Sequence, residues 1–153
     1  MDFERISAMI KKAPKKKLMS ENQFQKEILK AFKDDPNIKI FRRNIGGMTK
    51  ENGDYVRYGE AGQSDLWGWI VKHRCPFCNR LQEGTHFEIE LKSENGKLTP
   101  KQINWINFVA ANNGIAIVLY PIATDPVGLR ERICRLLEKS LCPKCDEQSK
   151  LNY

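Results

Sequence analysis

No apolar run in this chain of 153 residues approaches the ~18 consecutive residues that a membrane-crossing helix requires, which excludes a simple helical span. The basic N-terminus does not lead into an apolar secretory core before a small-residue cleavage site, so the expectation is an intracellular, cytoplasmic protein in a reducing compartment. Internal repeats and long low-complexity segments are absent, which excludes a solenoid or a tail-like chain. Acidic residues are in the minority: 19 Asp and Glu stand against 26 Lys and Arg, a formal charge of +7. That excess suits a polyanionic partner, through phosphate contacts and counterion release, although a merely soluble basic protein carries the same balance. The length fits one compact domain with a real core.

Cysteine is present, and its spacing is informative. Cys75-Pro76-Phe77-Cys78 and Cys142-Pro143-Lys144-Cys145 are two C-P-x-C knuckles with prolines at matching positions. Two such pairs are the usual framework of a tetrahedral structural zinc, with disulfides or a redox dithiol as the alternatives. The metal would tie a mid-chain insertion to the C-terminal tail. Cys134 falls in the apolar pattern of a late helix and reads as a small core residue. With four thiolates available, His73 and His86 find no vacancy at that zinc and read as surface or supporting residues.

The chain is organised around Thr85 to Lys92, THFEIELK. As a strand it alternates: Phe87, Ile89 and Leu91 face one way, and His86, Glu88, Glu90 and Lys92 face the other. Glu90 and Lys92 therefore lie side by side on one face. A carboxylate there can hold a divalent cation, while the ammonium steadies an attacking water and the charge that develops on a phosphate. By itself Glu-x-Lys is equally a solvated strand face carrying an ion pair.

Its neighbours sharpen the pattern. Gly62-Gln63-Ser64-Asp65 leads into a strand at Leu66 to Val71, close enough for Asp65 and Glu90 to share one metal. Thr99-Pro100-Lys101-Gln102 is a capping box opening a helix that Gly114 would stop, with Gln102 in its first turn as cap partner or site residue. An acid at the head of one strand, Glu-x-Lys on the next and a Gln at a helix start resemble the PD-(D/E)XK nucleases. More narrowly, they resemble their VRR-NUC group, the virus-type replication-repair nucleases of stand-alone phage and bacterial type. The resemblance runs from about Ser20 to Tyr120. One departure is plain: the proline usual before the family's Asp is Ser64 here.

The resemblance implies a Mg²⁺- or Mn²⁺-dependent endonuclease acting on DNA. Asp65, Glu90 and the Leu91 carbonyl would be metal ligands; Lys92 and Gln102 would position water or phosphate. Glu21, in the first turn of a helix opened by Ser20-Glu21-Asn22-Gln23, would complete the acidic cluster, the pattern being Glu21-x-x-x-Gln25. An acid in a first helical turn also favours the helix dipole with no catalytic role, and Glu27 is a less apt substitute. Arg42 and Arg43, in a stretch similar to the family's Arg-x-Asn, would hold a phosphate or sit beside an acid. Lys97 and Lys101 flank the site and would meet backbone phosphates.

The expected fold is α/β, a mixed sheet of about four or five strands flanked by helices. Three regions follow from the pattern: a basic arm over 1–19, a nuclease-like domain over 20–141 with a cysteine-bearing insertion at about 72–84, and a knuckle and tail over 142–153. Tyr55 to Tyr58 reads as a small hairpin arm near the active edge. Phe3, Ile6, Met9 and Ile10 form an apolar pattern that wants covering, so the expected assembly is a homodimer, with branched or four-way-junction DNA as partner. The rivals are a zinc-ribbon nucleic-acid-binding protein without turnover and a monomeric flap or structure-tolerant nuclease.

Overall fold

A computed structural model describes residues 18–75, 79–121 and 126–141. The elements follow in the order α1 (Glu21–Ala31), β1 (Ile38–Arg42), β2 (Gly46–Thr49), β3 (Tyr55–Tyr58), β4 (Leu66–Arg74), β5 (Leu81–Leu91), α2 (Pro100–Ala111), β6 (Ile115–Leu119) and α3 (Pro126–Leu141). The order β1-β4-β5-β6 makes one four-stranded sheet, and β2 and β3 pair as a separate hairpin. β1–β4 and β4–β5 are antiparallel, whereas β5 and β6 are parallel and joined through α2, a βαβ unit. The architecture is the expected mixed α/β one.

Alternation decides which face is core. Leu66 and Ile70 on β4, Phe87, Ile89 and Leu91 on β5, and Ile115, Ile117 and Leu119 on β6 point to the same side. There they meet Phe24, Ile28 and Phe32 from α1 and Leu129, Ile133 and Leu137 from α3. The four-residue spacing on α1 makes that stripe. Each such side chain, fully buried, contributes about 1.5–3 kcal/mol. Gly68 is required by close approach, since a Cβ would lie 2.0 Å from the Lys39 carbonyl oxygen and 2.6 Å from the Phe87 ring.

Caps fix the helix ends. Ser20 Oγ accepts from Gln23 N at 3.3 Å, and at α2 Thr99 and Gln102 form the full reciprocal capping box. α2 ends one residue earlier than its glycine suggests. Asn113 takes the left-handed conformation, φ 62, and the N–H groups of Asn113 and Gly114 donate to Ala110 and Val109 carbonyls, a Schellman motif. Gly114 is needed for space, because a Cβ would meet Val109 Cγ1 at 2.7 Å. The insertion also differs from expectation. β4 and β5 continue to pair through Lys72↔Glu83, His73↔Gln82 and Arg74↔Leu81, so much of it is a longer hairpin. Behind α1, buried Asp35 accepts from the N–H groups of Asn37 and Ile38 and from Arg130. Burial raises its carboxyl, but these partners outweigh that and hold it below its ordinary value.

Candidate active site

The face of β5 opposite the core is not a solvated one. Glu88 and Glu90 are only 1% and 2% exposed, and Lys92 is buried as well. The strand ends beneath α2, whose start is set by the Thr99 cap. Gln102 in its first turn reaches down: its Nε2 donates to Glu90 Oε1, and its Oε1 accepts from Lys92 Nζ at 2.9 Å and from Thr99 N at 2.9 Å. Lys92 Nζ also lies 2.9 Å from Glu90 Oε1. Gln102 is therefore at once the cap partner of Thr99 and the bridge between Glu90 and Lys92.

Asp65 joins by register. Leu66 pairs with Ile89, so one step outward sets Asp65 opposite Glu90, on the same non-core face. Asp65 Oδ2 accepts from Leu91 N at 2.8 Å. Because a strand residue's N–H and C=O point to the same side, the Leu91 carbonyl also faces the Asp65 side. The preceding turn is held by Gly62, at φ 99, where a Cβ would lie 2.5 Å from the Lys101 carbonyl oxygen. Glu21, on the first turn of α1, accepts from Ser93 N at 2.6 Å, just past Lys92.

These acids feel one another. Burial raises the Asp65 carboxyl, and the Glu21 charge adds to it, against the Leu91 N–H and Lys92. Burial raises Glu90 too, with Asp65 and Glu21 adding and Lys92 opposing. Glu90 Oε2 is buried and has no hydrogen-bond partner among the described residues. A buried carboxylate oxygen without a partner, near a second carboxyl whose charged form is disfavoured, is a donor set that suits a divalent cation.

A second polar cluster adjoins the first. Arg43 grips Glu88 through both nitrogens, Nη1 to Oε2 at 3.0 Å and Nη2 to Oε1 at 2.9 Å. Trp105 Nε1 donates to Glu88 Oε2, and His86 Nε2 is 3.1 Å from Oε1. The guanidinium lies between the Trp67 and Trp105 rings, 5.9 and 5.7 Å from their centroids. Glu88 is lowered overall, since Arg43, Trp105 and His86 outweigh the effect of burial. Nothing in the sequence reading singled out Glu88 or Trp105. The available signal was Glu88's place two residues before Glu90 on the same face.

A family comparison bears on this geometry. The VRR-NUC domain matches residues 9–121, the greater part of the chain. The chain belongs to the VRR-NUC family. No curated protein matches it. As a VRR-NUC protein it is a nuclease of the PD-(D/E)XK type, and a nuclease of this family binds DNA.

The other candidates divide. Arg42 ends β1 exposed, and Lys97 and Lys101 are exposed around the start of α2. Arg43 sits beside an acid, as one of its two readings had it, but is largely buried rather than exposed. Among the described residues no set of three His, Cys, Asp or Glu side chains is drawn together closely enough to ligate one metal. A cation at Asp65 and Glu90 would rely on the Leu91 carbonyl, water and phosphate oxygens for the remainder, as Mg²⁺ does. Cys75 is buried at the end of β4, where its N–H meets the Arg80 carbonyl. Cys78, Cys142 and Cys145 lie outside the described residues. Cys134 packs half-buried against the core, and burial raises its thiol.

Carboxyls whose folded values are raised favour the folded state when protonated. Stability of the metal-free protein should therefore fall as pH rises from the ordinary carboxylate range through the raised values of Asp65 and Glu90. At neutral pH, metal-free Asp65→Asn should melt no lower than wild type, because Asn keeps an oxygen for Leu91 N and removes the charge. Millimolar Mg²⁺ should raise the melting temperature of wild type but not of the variant. A variant that melts well below wild type without metal, or that responds to Mg²⁺ equally, would contradict this electrostatic reading.

Proposed function

We propose that the protein is a Mg²⁺- or Mn²⁺-dependent endodeoxyribonuclease that cuts branched DNA as a homodimer, in the manner of a Holliday-junction resolvase. The observation that carries the catalytic part is the buried, unpartnered Glu90 oxygen on the strand position opposite Asp65, with Lys92 held between Glu90 and Gln102. Asp65, Glu90 and the Leu91 carbonyl would hold the cation, with Glu21 close by. A divalent cation there would polarise the scissile phosphate and make water a better nucleophile at neutral pH. Lys92, fixed by two oxygens, directs its remaining donor capacity at the water or at the phosphate oxygen where charge develops. Gln102 holds Glu90 and Lys92 at one spacing, and the α2 roof limits water at the buried side. Exposed Arg42, Lys97 and Lys101 would meet flanking phosphates.

Two cuts in opposed strands need two sites, which a twofold dimer of this single-site domain provides. α2 packs mainly on the β5–β6 half of the site-side face. Phe41, Trp69 and Val71 on the other half are 46%, 41% and 45% exposed, an apolar surface that a second copy would cover. The test is cleavage of labelled four-way junction and linear duplex by purified full-length protein with Mg²⁺, alongside light scattering after size exclusion. A dimer that nicks opposed junction strands, with affinity falling steeply as salt rises, is expected. Binding without cleavage would favour the zinc-ribbon binder. A monomer would overturn the assembly, and equal cutting of duplex and junction would overturn the specificity.

The two knuckles support a structural zinc at Cys75, Cys78, Cys142 and Cys145. Metal analysis of freshly purified protein should find about one zinc per chain, as a closed four-thiolate site implies. Cys142→Ser should lower thermal stability more than Cys134→Ser; protein free of zinc without chelation would refute the site.

A further inference from the structure

Between α1 and the β2–β3 hairpin runs an open groove of about 800 Å³, with Asp65 among its lining residues. We propose that this groove receives one nucleoside splayed out of the DNA strand beside the bond that is cut. The proposal rests on the nuclease reading above and adds a substrate subsite to it.

The groove is built for such a group. Gln25 on α1 lines it and is only 9% exposed, yet among the described residues no hydrogen bond engages its amide. That amide is left to water or to a polar group that enters the groove. It offers one acceptor and two donors, the mixed set that a base edge requires. Opposite stand Tyr58 and Met48 from the hairpin, 43% and 57% exposed, giving a ring and a thioether on which a base can lie. Arg42, exposed at the rim, supplies charge for the adjoining phosphate. A base in this groove would hold its own phosphate near Asp65. Extruding a base costs least where it is unpaired or weakly paired, so the groove itself would favour branch points over continuous duplex.

The test uses full-length protein and a four-way junction carrying 2-aminopurine at successive positions around the branch, with Ca²⁺ in place of Mg²⁺ to hold the complex. One position should change its fluorescence severalfold on binding, and Tyr58→Ala and Gln25→Leu should each abolish that change. With Mg²⁺, both variants should raise KM about tenfold, the scale of losing one base contact, with kcat little altered. Tyr58 is exposed, so Tyr58→Ala should fold and keeps the proposal falsifiable if Gln25→Leu does not. Wild-type cleavage with no responsive position, or variants with unchanged KM, would overturn the subsite. Failure of wild type to cleave any DNA would instead overturn the nuclease reading, and the fluorescence arm would still judge the groove.

Discussion

Asp65→Ala, Glu90→Ala and Lys92→Ala should each lower DNA cleavage by on the order of 10³-fold, the usual loss when one preorganised charge at a reacting centre is removed. The three converge: Asp65 lies opposite Glu90 by register, and Lys92 Nζ lies 2.9 Å from Glu90 Oε1. Their losses should differ in kind. The carboxylate variants should also lose the Mg²⁺-dependent rise in melting temperature, because they remove cation ligands. Lys92→Ala should keep it, because the ammonium opposes the cation rather than binding it. The carboxylate alanines also strip a partner from a buried group: Leu91 N loses Asp65, and Lys92 loses its counter-charge Glu90 and keeps only Gln102. Asp65→Asn, Glu90→Gln and Lys92→Met preserve shape and should be equally inactive while folded by circular dichroism. Near-wild-type cleavage by any two of the three positions would sink the assignment of this site.

Much of this arrangement is legible in the chain because it is local. Alternation over THFEIELK places Glu90 and Lys92 together, and Thr99-Pro100-Lys101-Gln102 announces its own helix start. What is illegible is nonlocal. That Glu88 would be buried follows from Arg43, far away in sequence, and from Trp105 on α2, both of which bond its carboxylate. A polar strand face looks solvated until its roof is known, and nothing in the spacing says that α2 comes to lie there. The longer β4–β5 hairpin was hidden for a related reason. Lys72, Arg74 and Glu83 are exposed, and their strand state comes from cross-strand pairing, Lys72 with Glu83 and Arg74 with Leu81, rather than from burial. At the end of α2, Gly114 drew attention as a helix stop, but Asn113 takes the left-handed turn, which Asn tolerates through its short polar side chain. The groove beside Asp65 depends on a hairpin and a helix meeting, so Gln25 gave no sign of a role beyond its place after Glu21.

The Arg43–Glu88 pair yields the largest expected change in stability. Glu88→Ala should cost about 3–5 kcal/mol, because it leaves a largely buried guanidinium without its carboxylate. At the few degrees per kcal/mol typical of a domain this size, the melting temperature should drop by roughly 10 °C. The loss should exceed that of an ordinary surface pair, since Glu88 is 1% exposed and also takes donors from Trp105 and His86. Arg43→Ala should cost less, because those two donors remain on the carboxylate. Replacing both partners with apolar residues, Arg43→Met with Glu88→Leu, should recover much of the loss, since no buried charge is then left alone. The pH dependence gives a second check. Glu88 is held below its ordinary value, so its contribution is present above the unfolded carboxylate range and is lost as pH falls through its lowered folded value. The difference between wild type and Glu88→Ala should thus be constant near neutrality and shrink in acid. A penalty under about 1 kcal/mol, the range of an exposed ion pair, or one that grows in acid, would mean that Arg43 and Glu88 do not form a buried pair in solution.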